Sequence, residues 1–539
     1  MKKRTILNRA KGEGFLQSIW KHLVIILLPL LLTSMAMARE NKFLIIHLDA
    51  ISSVDFFREL EAGSLPNIAG VFADGQQVRY GLTLYPGGTE IIYPRLKAGL
   101  DNSTHHSVGW GYLDRDTGRK IGDIPIFLDM FSGFTRHNRH QFLLGIPGFH
   151  HLAGLSLLNL ERLWETHDVV EFFWFNTDVM GHLSGNKAHL TSLKTFDYYL
   201  GMLHRSGKLD GANIVLYSDH GMTTENIQVV PHHKLIPAVL GDQLLHFAYP
   251  NVYLKDPSQR YSLAQELVTT TELDLTLVSL GQERIRGYFS GGYFEIARQG
   301  PKYKYQYWEQ DYFGYDALGY SGEFLSKEDW LRLTKDHLYP AVPPNLFGYL
   351  NNPYVGDIVT VLNTPKIPYA IRAQKGNHAG LKNTDLLVPL LYAGPAFAEM
   401  EPFEEFWLHE LYTENLPMID FAQKPDRENY SISLAYPLAS QVVLSPGYRW
   451  RLGLDLSLDK IEPWVQYDIY RSFLSRVWLG AGWHGKLQSH LEIEGFLGDF
   501  SLVWRKRYGE ASKTQVRWRL AEQVKLKVSK DSVGLTFLF

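Results

Sequence analysis

Three segments in the first 220 residues have the pattern of buried β-strands, and each is followed within three residues by an aspartate. The clearest is the apolar run at residues 213–217, which ends at the pair Asp219 and His220. The other two runs lead into Asp49 and Asp178. Short apolar runs rich in β-branched and aromatic residues favour buried strands. Since ligands of open α/β sheets bind beyond the carboxyl ends of the strands, the sequence predicts a ligand site at this edge.

The same part of the chain alternates strand patterns with helical spacing. Apolar residues between positions 54 and 72 have helical spacing. The order strand, helix, strand favours an α/β domain with a mostly parallel sheet flanked by helices. Residues 235–365 carry many Tyr, Gly and Pro residues and few clean strand patterns, so we expect an inserted cap region there. The predicted domain spans residues 39–425 and closes after an apolar strand at residues 385–392.

A threonine follows a tight turn at the start of a predicted short helix. Pro86, Gly87 and Gly88 form the turn, Thr89 comes next, and residues 91–100 have helical character. Backbone N–H groups and the positive end of the helix dipole favour an anion at a helix N-terminus. This position suits an alkoxide that attacks phosphorus, but a threonine here is also a common helix cap. Both interpretations stay open at this point.

Histidines supply further candidate metal ligands. The chain has 21 His and no Cys, so a metal ion must be bound by imidazole, carboxylate or hydroxyl groups. Asp178 and His182 are four residues apart, and one helical turn puts both on the same face. His378 lies in a loop flanked by glycines. Each has an ordinary alternative, namely an aspartate helix cap beside an incidental histidine, or a solvated loop histidine.

Together these residues resemble the motifs of the alkaline phosphatase superfamily and are most similar to its nucleotide pyrophosphatase/phosphodiesterase branch. The resemblance covers Lys42 to about Phe397, apart from the insertion. It rests on the order and spacing of the following motifs: Asp49 at the end of the first strand, Thr89 ten residues before Gly99, Asp178-x-x-x-His182-x-x-Gly185, Asp219-His220-Gly221-Met222 and Gly376-x-His378.

The resemblance implies two Zn²⁺ ions and a threonine nucleophile. One ion would be bound by Asp178, His182 and His378, and the other by Asp49, Asp219 and His220, with the Thr89 oxygen reaching the metal ions. Imidazole and carboxylate ligands suit Zn²⁺ where thiolate is absent. In the implied reaction Thr89 attacks phosphorus to form a phosphoenzyme ester, which water then hydrolyses.

The sequence departs from that family at three places. Glu90 follows the nucleophile where the family more often has a small or aromatic residue, and its charge favours diesters over highly charged monoesters. Ala379 stands where a Gly usually follows the last histidine. The branch also holds a phosphate oxygen with an Asn at a longer spacing from the nucleophile than Asn102 has here, so Asn102 is only the nearest candidate for substrate binding. The choice between monoester and diester stays open.

The N-terminus has the organisation of a secretory signal peptide. Residues 1–21 are basic, residues 23–32 are apolar, and Ala-Met-Ala precedes Arg39. This order predicts a signal peptide at residues 1–38 and an exported protein. The alternative is an uncleaved membrane anchor, although the apolar run is short and is interrupted by Pro29.

From about Arg427 onwards the sequence changes to strict alternation of apolar and polar residues. Period-two alternation predicts β-strands, and the polar face carries Arg, Glu, Asp and Lys. Strands of about ten residues with short turns are typical of transmembrane β-barrels. The terminal Phe539, with apolar residues at alternate positions before it, resembles the last strand of bacterial outer-membrane proteins. We expect an antiparallel barrel of about eight strands at residues 426–539, the alternative being a soluble β-sandwich.

The sequence as a whole predicts an exported, zinc-dependent phosphoric ester hydrolase of the phosphodiesterase/nucleotide pyrophosphatase type. Its C-terminal barrel would tether it to outer-membrane lipid, with the catalytic domain in the periplasm or at the surface; a soluble periplasmic protein is the alternative. The substrate would be a small-molecule or lipid phosphoester, and a net charge of −3 gives no indication of a nucleic-acid partner. The alternative hypotheses are a phosphatase or phosphotransferase that uses the same site, or an inactive outer-membrane structural or binding protein.

Overall fold

The structure is a computed structural model that describes residues 41–135, 137–138, 141–164, 167–368 and 374–421, and most of residues 429–538. The predicted signal peptide lies outside the described residues. The chain divides into two compact units, one formed by Glu40–Lys424 and the other including Pro425–Phe539. No helix in the described part of the chain has both the length and the apolar character needed to cross a membrane.

The strands of the first unit are, in chain order, β1 (Phe43–Leu48), β2 (Gln76–Leu82), β3 (Tyr112–Asp114), β4 (Arg119–Ile121), β5 (Val169–Trp174), β6 (Asn213–Ser218), β7 (Gln228–Val230), β8 (Leu244–Ala248), β9 (Asn251–Leu254), β10 (Leu275–Ser279), β11 (Arg284–Phe289), β12 (Gly292–Gln299), β13 (Lys302–Trp308), β14 (Leu325–Ser326), β15 (Ile358–Val361), β16 (Lys366–Pro368), β17 (Leu387–Ala393) and β18 (Glu405–Trp407).

The α-helices of this unit are α1 (Ser53–Glu61), α2 (Pro66–Val71), α3 (Thr89–Leu96), α4 (Asp123–Met130), α5 (Gln141–Leu144), α6 (His150–Ser156), α7 (Leu160–Trp164), α8 (Asn176–Ser184), α9 (Asn186–Arg205), α10 (His232–Leu240), α11 (Arg260–Thr270), α12 (Lys327–Thr334), α13 (Val342–Leu350) and α14 (Asn383–Leu386).

The central sheet has six strands in the order β18-β2-β17-β6-β1-β5. Strand β1 pairs in parallel with both β5 and β6, and β18 pairs in parallel with β2, whereas β17 is antiparallel to both of its neighbours. Every residue of β1 and β6 is buried, as expected of strands covered on both faces. The α/β fold with a mostly parallel sheet is confirmed.

The register of this sheet aligns the strand ends that matter for the site. Leu48, the last residue of β1, lies opposite Trp174 of β5 and Ser218 of β6. The residues that follow these three strands therefore meet at one edge, which is where Asp49 and Asp219 come next in sequence.

The inserted region contains a second, more regular sheet than its sequence suggested. Eight strands lie in the order β14-β13-β12-β11-β10-β15-β9-β8, and the pairings between them are antiparallel. The expectation of few strands here was wrong. Tyrosines fill much of the interior, as Tyr253, Tyr305 and Tyr315 show by their complete or nearly complete burial. Because tyrosine counts as neither clearly apolar nor clearly polar in a pattern, it obscured the alternation.

The second unit is entirely antiparallel. Its strands are β19 (Asn429–Tyr436), β20 (Ala439–Ser445), β21 (Trp450–Ser457), β22 (Ile461–Arg471), β23 (Ser475–Trp483), β24 (Leu487–Leu497), β25 (Phe500–Arg507), β26 (Lys513–Ala521), β27 (Val524–Ser529) and β28 (Ser532–Leu538).

Each strand of the second unit pairs with the next, and β19 also pairs with β28, so that the ladder closes on itself. The all-antiparallel prediction is confirmed. Among the described residues there are ten strands, where the sequence indicated about eight. Strands β20 and β27 have only 7 and 6 residues, fewer than the about ten expected of each strand, which explains the lower estimate.

Candidate metal centre and nucleophile

The aspartates Asp49 and Asp219 lie side by side at the carboxyl edge of the central sheet. Each directly follows its strand, and both side chains are fully buried. Asp178 comes from the first turn of α8, which begins two residues after β5 ends. The Thr177 hydroxyl donates to the backbone oxygen of Asp49 at 2.5 Å, which holds the start of α8 against the end of β1.

Thr89 is the first residue of α3, two positions earlier than the predicted start, and it does not cap the helix. Gly88 is the N-cap residue and no side chain makes a capping hydrogen bond. The Thr89 hydroxyl instead donates to Oδ1 of Asp49 at 3.3 Å and lies 3.4 Å from Nε2 of His220. The structure thus places this hydroxyl at the aspartate cluster, at the N-terminus of a helix.

A first cluster of metal-ligating groups consists of Asp178, His182 and His378. Nε2 of His182 lies 3.2 Å from Oδ1 of Asp178, and Nε2 of His378 lies 3.7 Å from the same oxygen. The four-residue spacing of Asp178 and His182 puts both on one face of α8, as predicted. The loop with His378 approaches α8 closely at Gly376, where a Cβ would lie 2.7 Å from the backbone oxygen of Gly181.

A second cluster consists of Asp49, Asp219 and His220. Nε2 of His220 lies 3.4 Å from Oδ1 of Asp49 and 3.5 Å from Oδ2 of Asp219. The two clusters adjoin, because the rings of His220 and His378 stack at 4.0 Å. Ligand atoms of Asp49, Asp178 and His220 also lie within 4.8 Å of one another.

The histidine tautomers show that these clusters suit cations. In His220 and His378 the Nδ1 atom faces a backbone carbonyl oxygen, at 2.9 and 2.5 Å, whereas Nδ1 of His182 lies 2.8 Å from both the backbone oxygen of Gly376 and Nε2 of Gln374. A carbonyl can only accept a hydrogen bond, so in His220 and His378 Nδ1 carries the proton and the lone pair is on Nε2. This arrangement is typical of metal-ligating histidines, whose other ring nitrogen donates to a carbonyl or carboxylate.

Three buried carboxylate oxygens of the two clusters have no hydrogen-bond partner, namely Asp49 Oδ2, Asp178 Oδ1 and Asp219 Oδ2. Buried carboxylate oxygens that face imidazole lone pairs repel one another unless a positive charge lies between them. The donor set therefore fits divalent cations, and a set of imidazole and carboxylate ligands without thiolate fits Zn²⁺.

The pKa values of these groups reflect their crowding. Burial, and then the charges of Asp219 and Asp178, raise the pKa of Asp49 well above its usual range. Burial alone would raise the pKa of Asp178, but the neighbouring histidines outweigh it and hold that pKa at about 2. Burial, followed by His220 and His182, lowers the pKa of His378 to about 3, which keeps this imidazole neutral as a ligand must be.

A third group of possible ligands, His105, His106 and Asp129, has the opposite tautomer. The backbone N–H of Ser107 donates to Nδ1 of His105 at 3.1 Å, so the proton of a neutral His105 ring is on Nε2. The atom that faces Asp129 is then a donor and not a metal ligand. In this group, His105 therefore does not direct an Nε2 lone pair at the carboxylate, as His220 and His378 do.

Asn102 is not brought to the clusters. Its side chain is buried, and its Nδ2 donates to the backbone oxygen of Tyr85 at 3.0 Å and to the backbone oxygen of Asn345 at 3.1 Å. These contacts join the turn before Thr89 to helix α13. Asn102 supports the turn that precedes Thr89.

Sequence reasoning missed His47 beside Asp219. Nε2 of His47 lies 3.0 Å from Oδ1 of Asp219, and the side chain is buried. The signal was present, since residues two apart in a strand point to the same side, and His47 is two residues before Asp49.

A match to a known family model agrees with the resemblance noted in the sequence. The family model described as type I phosphodiesterase / nucleotide pyrophosphatase matches residues 127–276, the stretch that contains Asp178, His182, Asp219 and His220. No curated protein matches.

Solved structures similar to this chain include two of murine ectonucleotide pyrophosphatase/phosphodiesterase 5. The first is 14% identical and covers 72% of this chain and 97% of its own, with a TM-score of 0.46. The second, an inactive variant in complex with AMP, is 14% identical and covers 72% of this chain and 96% of its own, with a TM-score of 0.45. The human protein of the same name is 15% identical and covers 71% and 96%, with a TM-score of 0.43.

Proposed function

We propose that this protein is an exported, metal-dependent phosphoric ester hydrolase of the phosphodiesterase/nucleotide pyrophosphatase type. The observation that carries the proposal is the position of the Thr89 hydroxyl, 3.3 Å from Oδ1 of Asp49 and beside two adjoining Asp/His clusters. The family match over residues 127–276 supports the same reaction class.

In the proposed two-step displacement, Thr89, Asp49 and the N-terminus of α3 have separate roles. Thr89 loses its hydroxyl proton and forms an oxygen–phosphorus bond while the bond to the leaving alcohol breaks and that alcohol takes up a proton. Water then cleaves the threonyl ester and releases the phosphomonoester that keeps the second alcohol of the diester. The N-terminal N–H groups of α3 favour negative charge at this position. Asp49 accepts the hydrogen bond of the Thr89 hydroxyl and thereby orients its oxygen.

Two Zn²⁺ ions would be held by the residues of the two clusters. The first would have the ligands Asp178, His182 and His378, and the second Asp49, Asp219 and His220, with Thr89 near both. When bound, such a pair acidifies the attacking hydroxyl and stabilises the charge of an in-line displacement. The tautomers of His220 and His378 and the unpartnered carboxylate oxygens support this assignment.

Glu90 supports a preference for diesters. It is buried beside the nucleophile, and its carboxylate lies so close to Gly88 that a Cβ there would be 2.7 Å from Oε2. A phosphomonoester dianion carries one more negative charge than a diester and is repelled more strongly by this carboxylate. A nucleotide-like or lipid phosphodiester fits this charge pattern.

We also propose that the C-terminal unit is a barrel that anchors the protein in an outer membrane. Within β24 the charged Glu492 and Glu494 are buried, while Ile493 between them is 38% exposed. Leu479 and Leu502 on neighbouring strands are more than half exposed. A polar interior and an apolar exterior are the reverse of a soluble sandwich and are typical of membrane barrels.

Ion pairs occupy the interior of this unit. Arg505 pairs with Glu492 at 2.5 Å, and Arg517 lies 3.6 Å from Glu492 and 3.3 Å from Glu494. Small barrels are filled by their own side chains. We therefore expect an anchor without an open channel.

The proposed reaction is tested by hydrolysis of bis(p-nitrophenyl) phosphate and p-nitrophenyl phosphate. The full chain, purified in detergent, is stripped of metal and reloaded with Zn²⁺. Zinc-dependent cleavage that prefers the diester and is lost in Thr89→Ala is expected, with Thr191→Ala on the exposed face of α9 as the matched control. Zinc-independent cleavage, or full activity in Thr89→Ala, would refute the proposal. Preferential monoester cleavage would assign a phosphatase.

A further inference from the structure

His47 lies behind the candidate metal centre and connects it to the nucleophile helix. Its Nε2 atom is 3.0 Å from Oδ1 of Asp219, and its Nδ1 atom contacts the hydroxyl of Tyr93. Tyr93 is in α3, four residues and thus about one helical turn after Thr89. A continuous chain of polar contacts therefore runs from the helix that carries Thr89 to a candidate metal ligand.

Aromatic packing fixes both rings of this chain. The His47 imidazole stacks on Tyr217, with the centroids 5.1 Å apart and the planes 3° from parallel, and it also contacts Phe173 at 4.5 Å. Tyr93 stacks on Phe134 at 3.8 Å. Rings packed in this way cannot turn without displacing their neighbours. The positions of the two polar contacts are therefore determined by the core.

The two carboxylate oxygens of Asp219 have different surroundings. Oδ1 accepts from the backbone N–H of His220 at 3.0 Å and of Ala50 at 3.3 Å, and it also faces His47. Oδ2 has no hydrogen-bond partner and lies 3.5 Å from Nε2 of His220. The protein occupies one oxygen of this carboxylate and leaves the other for a cation.

A Tyr93 phenol that donates to Nδ1 of His47 leaves the imidazole proton on Nε2, the atom 3.0 Å from Oδ1 of Asp219. In the opposite tautomer the lone pair of Nε2 would face Asp49 and Asp219, with which His47 forms a group of possible metal ligands. The first tautomer makes His47 a positioning residue and the second makes it a ligand, and substitutions of His47 separate the two.

We propose that His47 and Tyr93 are positioning residues that hold Oδ1 of Asp219, which would leave Oδ2 as the ligand atom for the second metal ion and would couple the orientation of Asp219 to the helix of Thr89. The inference rests on the proposed function, since it concerns the ligand set assigned there. Groups that orient a metal ligand in this way commonly change metal affinity ~10–100-fold when removed.

The test measures the dissociation constants of both Zn²⁺ ions by competition with a chromophoric chelator, on the full chain in detergent. Tyr93→Phe removes one oxygen and keeps the aromatic stacking, and His47→Leu removes both polar contacts. We expect one of the two Zn²⁺ ions to bind ~10–100-fold more weakly in each variant. His47→Gln keeps one acceptor and one donor and is expected to bind within about threefold of the parent chain.

Tyr315→Phe is the matched control. Tyr315 is a buried phenol that donates to the backbone oxygen of Tyr339 at 2.8 Å, in the inserted region. It is expected to leave Zn²⁺ affinity unchanged, which separates positioning from a general loss of stability.

Two results would overturn the inference. Unchanged affinity in both Tyr93→Phe and His47→Leu would show that the contacts do not position Asp219. Affinity lost equally in His47→Gln and His47→Leu would show that His47 binds the metal itself. If instead the parent chain binds no Zn²⁺, the proposed function fails first and this inference with it, and that outcome is distinct from the other two.

Discussion

The hydroxyl of Thr89 donates to Oδ1 of Asp49 at 3.3 Å, where the first residue of α3 meets the end of β1. Neither residue is near the other in sequence. The contact depends on the turn before α3, which Asn102 supports through its bond to Tyr85. The arrangement presents a hydroxyl that is not engaged in capping the helix to a cluster of buried carboxylates.

This relationship predicts different outcomes for two substitutions of Thr89. Thr89→Ser keeps an oxygen at the end of the side chain and is expected to retain activity within about tenfold, because only a methyl group is lost. Thr89→Ala is expected to lose at least ~10³-fold in kcat. Mass spectrometry of acid-quenched diester reactions should detect a peptide whose Thr or Ser at this position carries the phosphoryl group together with the alcohol that the diester keeps. A label on any other residue would contradict the assignment.

The ionisation of the buried Glu90 should make the preference for diester over monoester depend on pH. Burial raises the pKa of Glu90 to about 7, so its charge appears as the pH rises through that value. The ratio of kcat/KM for the diester to that for the monoester should therefore increase between mildly acidic and mildly alkaline pH. Glu90→Gln should remove this increase, and Glu61→Gln, an exposed carboxyl, should leave it intact. A ratio that rises equally in Glu90→Gln would refute the role of Glu90.

Ala379 predicts a stabilising substitution. Its φ angle is +78°, in the left-handed region that disfavours residues with a Cβ. Ala379→Gly is expected to relieve about 1 kcal/mol of strain and raise the thermal midpoint. The control Ala188→Gly, inside α9, should lower stability by about 1 kcal/mol. Both are measured by thermal unfolding of the full chain, and a lower midpoint for Ala379→Gly would contradict the strain.

The C-terminal unit predicts a depth-dependent effect of charge on its apolar face. Leu502 is 55% exposed on β25. Leu502→Arg is expected to cost ~2–4 kcal/mol if this position lies near the bilayer centre and to reduce assembly in the outer membrane. Leu502→Val should assemble normally. Fractionation of cells gives the result, and a parent chain found free in the periplasm would refute the membrane anchor.

Much of the candidate site could be predicted because its signals are local. Asp49 and Asp219 end apolar strands, and Asp178 and His182 share a helical spacing. A short-range pattern is enough to place such residues at the edge of a parallel sheet. The prediction of His378 as a metal ligand depended on the family resemblance, since a histidine in a loop has no local signal of its own.

The features of the site and fold that could not be predicted depend on contacts between segments that are distant in sequence. Asn102 was a candidate substrate-binding residue, and only its bonds to Tyr85 and Asn345 give it a supporting position. His47 shares a strand with Asp49, but its contact with Tyr93 crosses to another element. The sheet of the inserted region was hidden because tyrosines form much of its interior.

The most direct test of the account is the location of bound metal. Crystals of the Zn²⁺-loaded full chain should give two anomalous peaks at the zinc edge. One is expected among Asp178, His182 and His378, and the other among Asp49, Asp219 and His220. A single peak, or peaks elsewhere on the chain, would contradict the two-ion centre on which the proposed reaction depends.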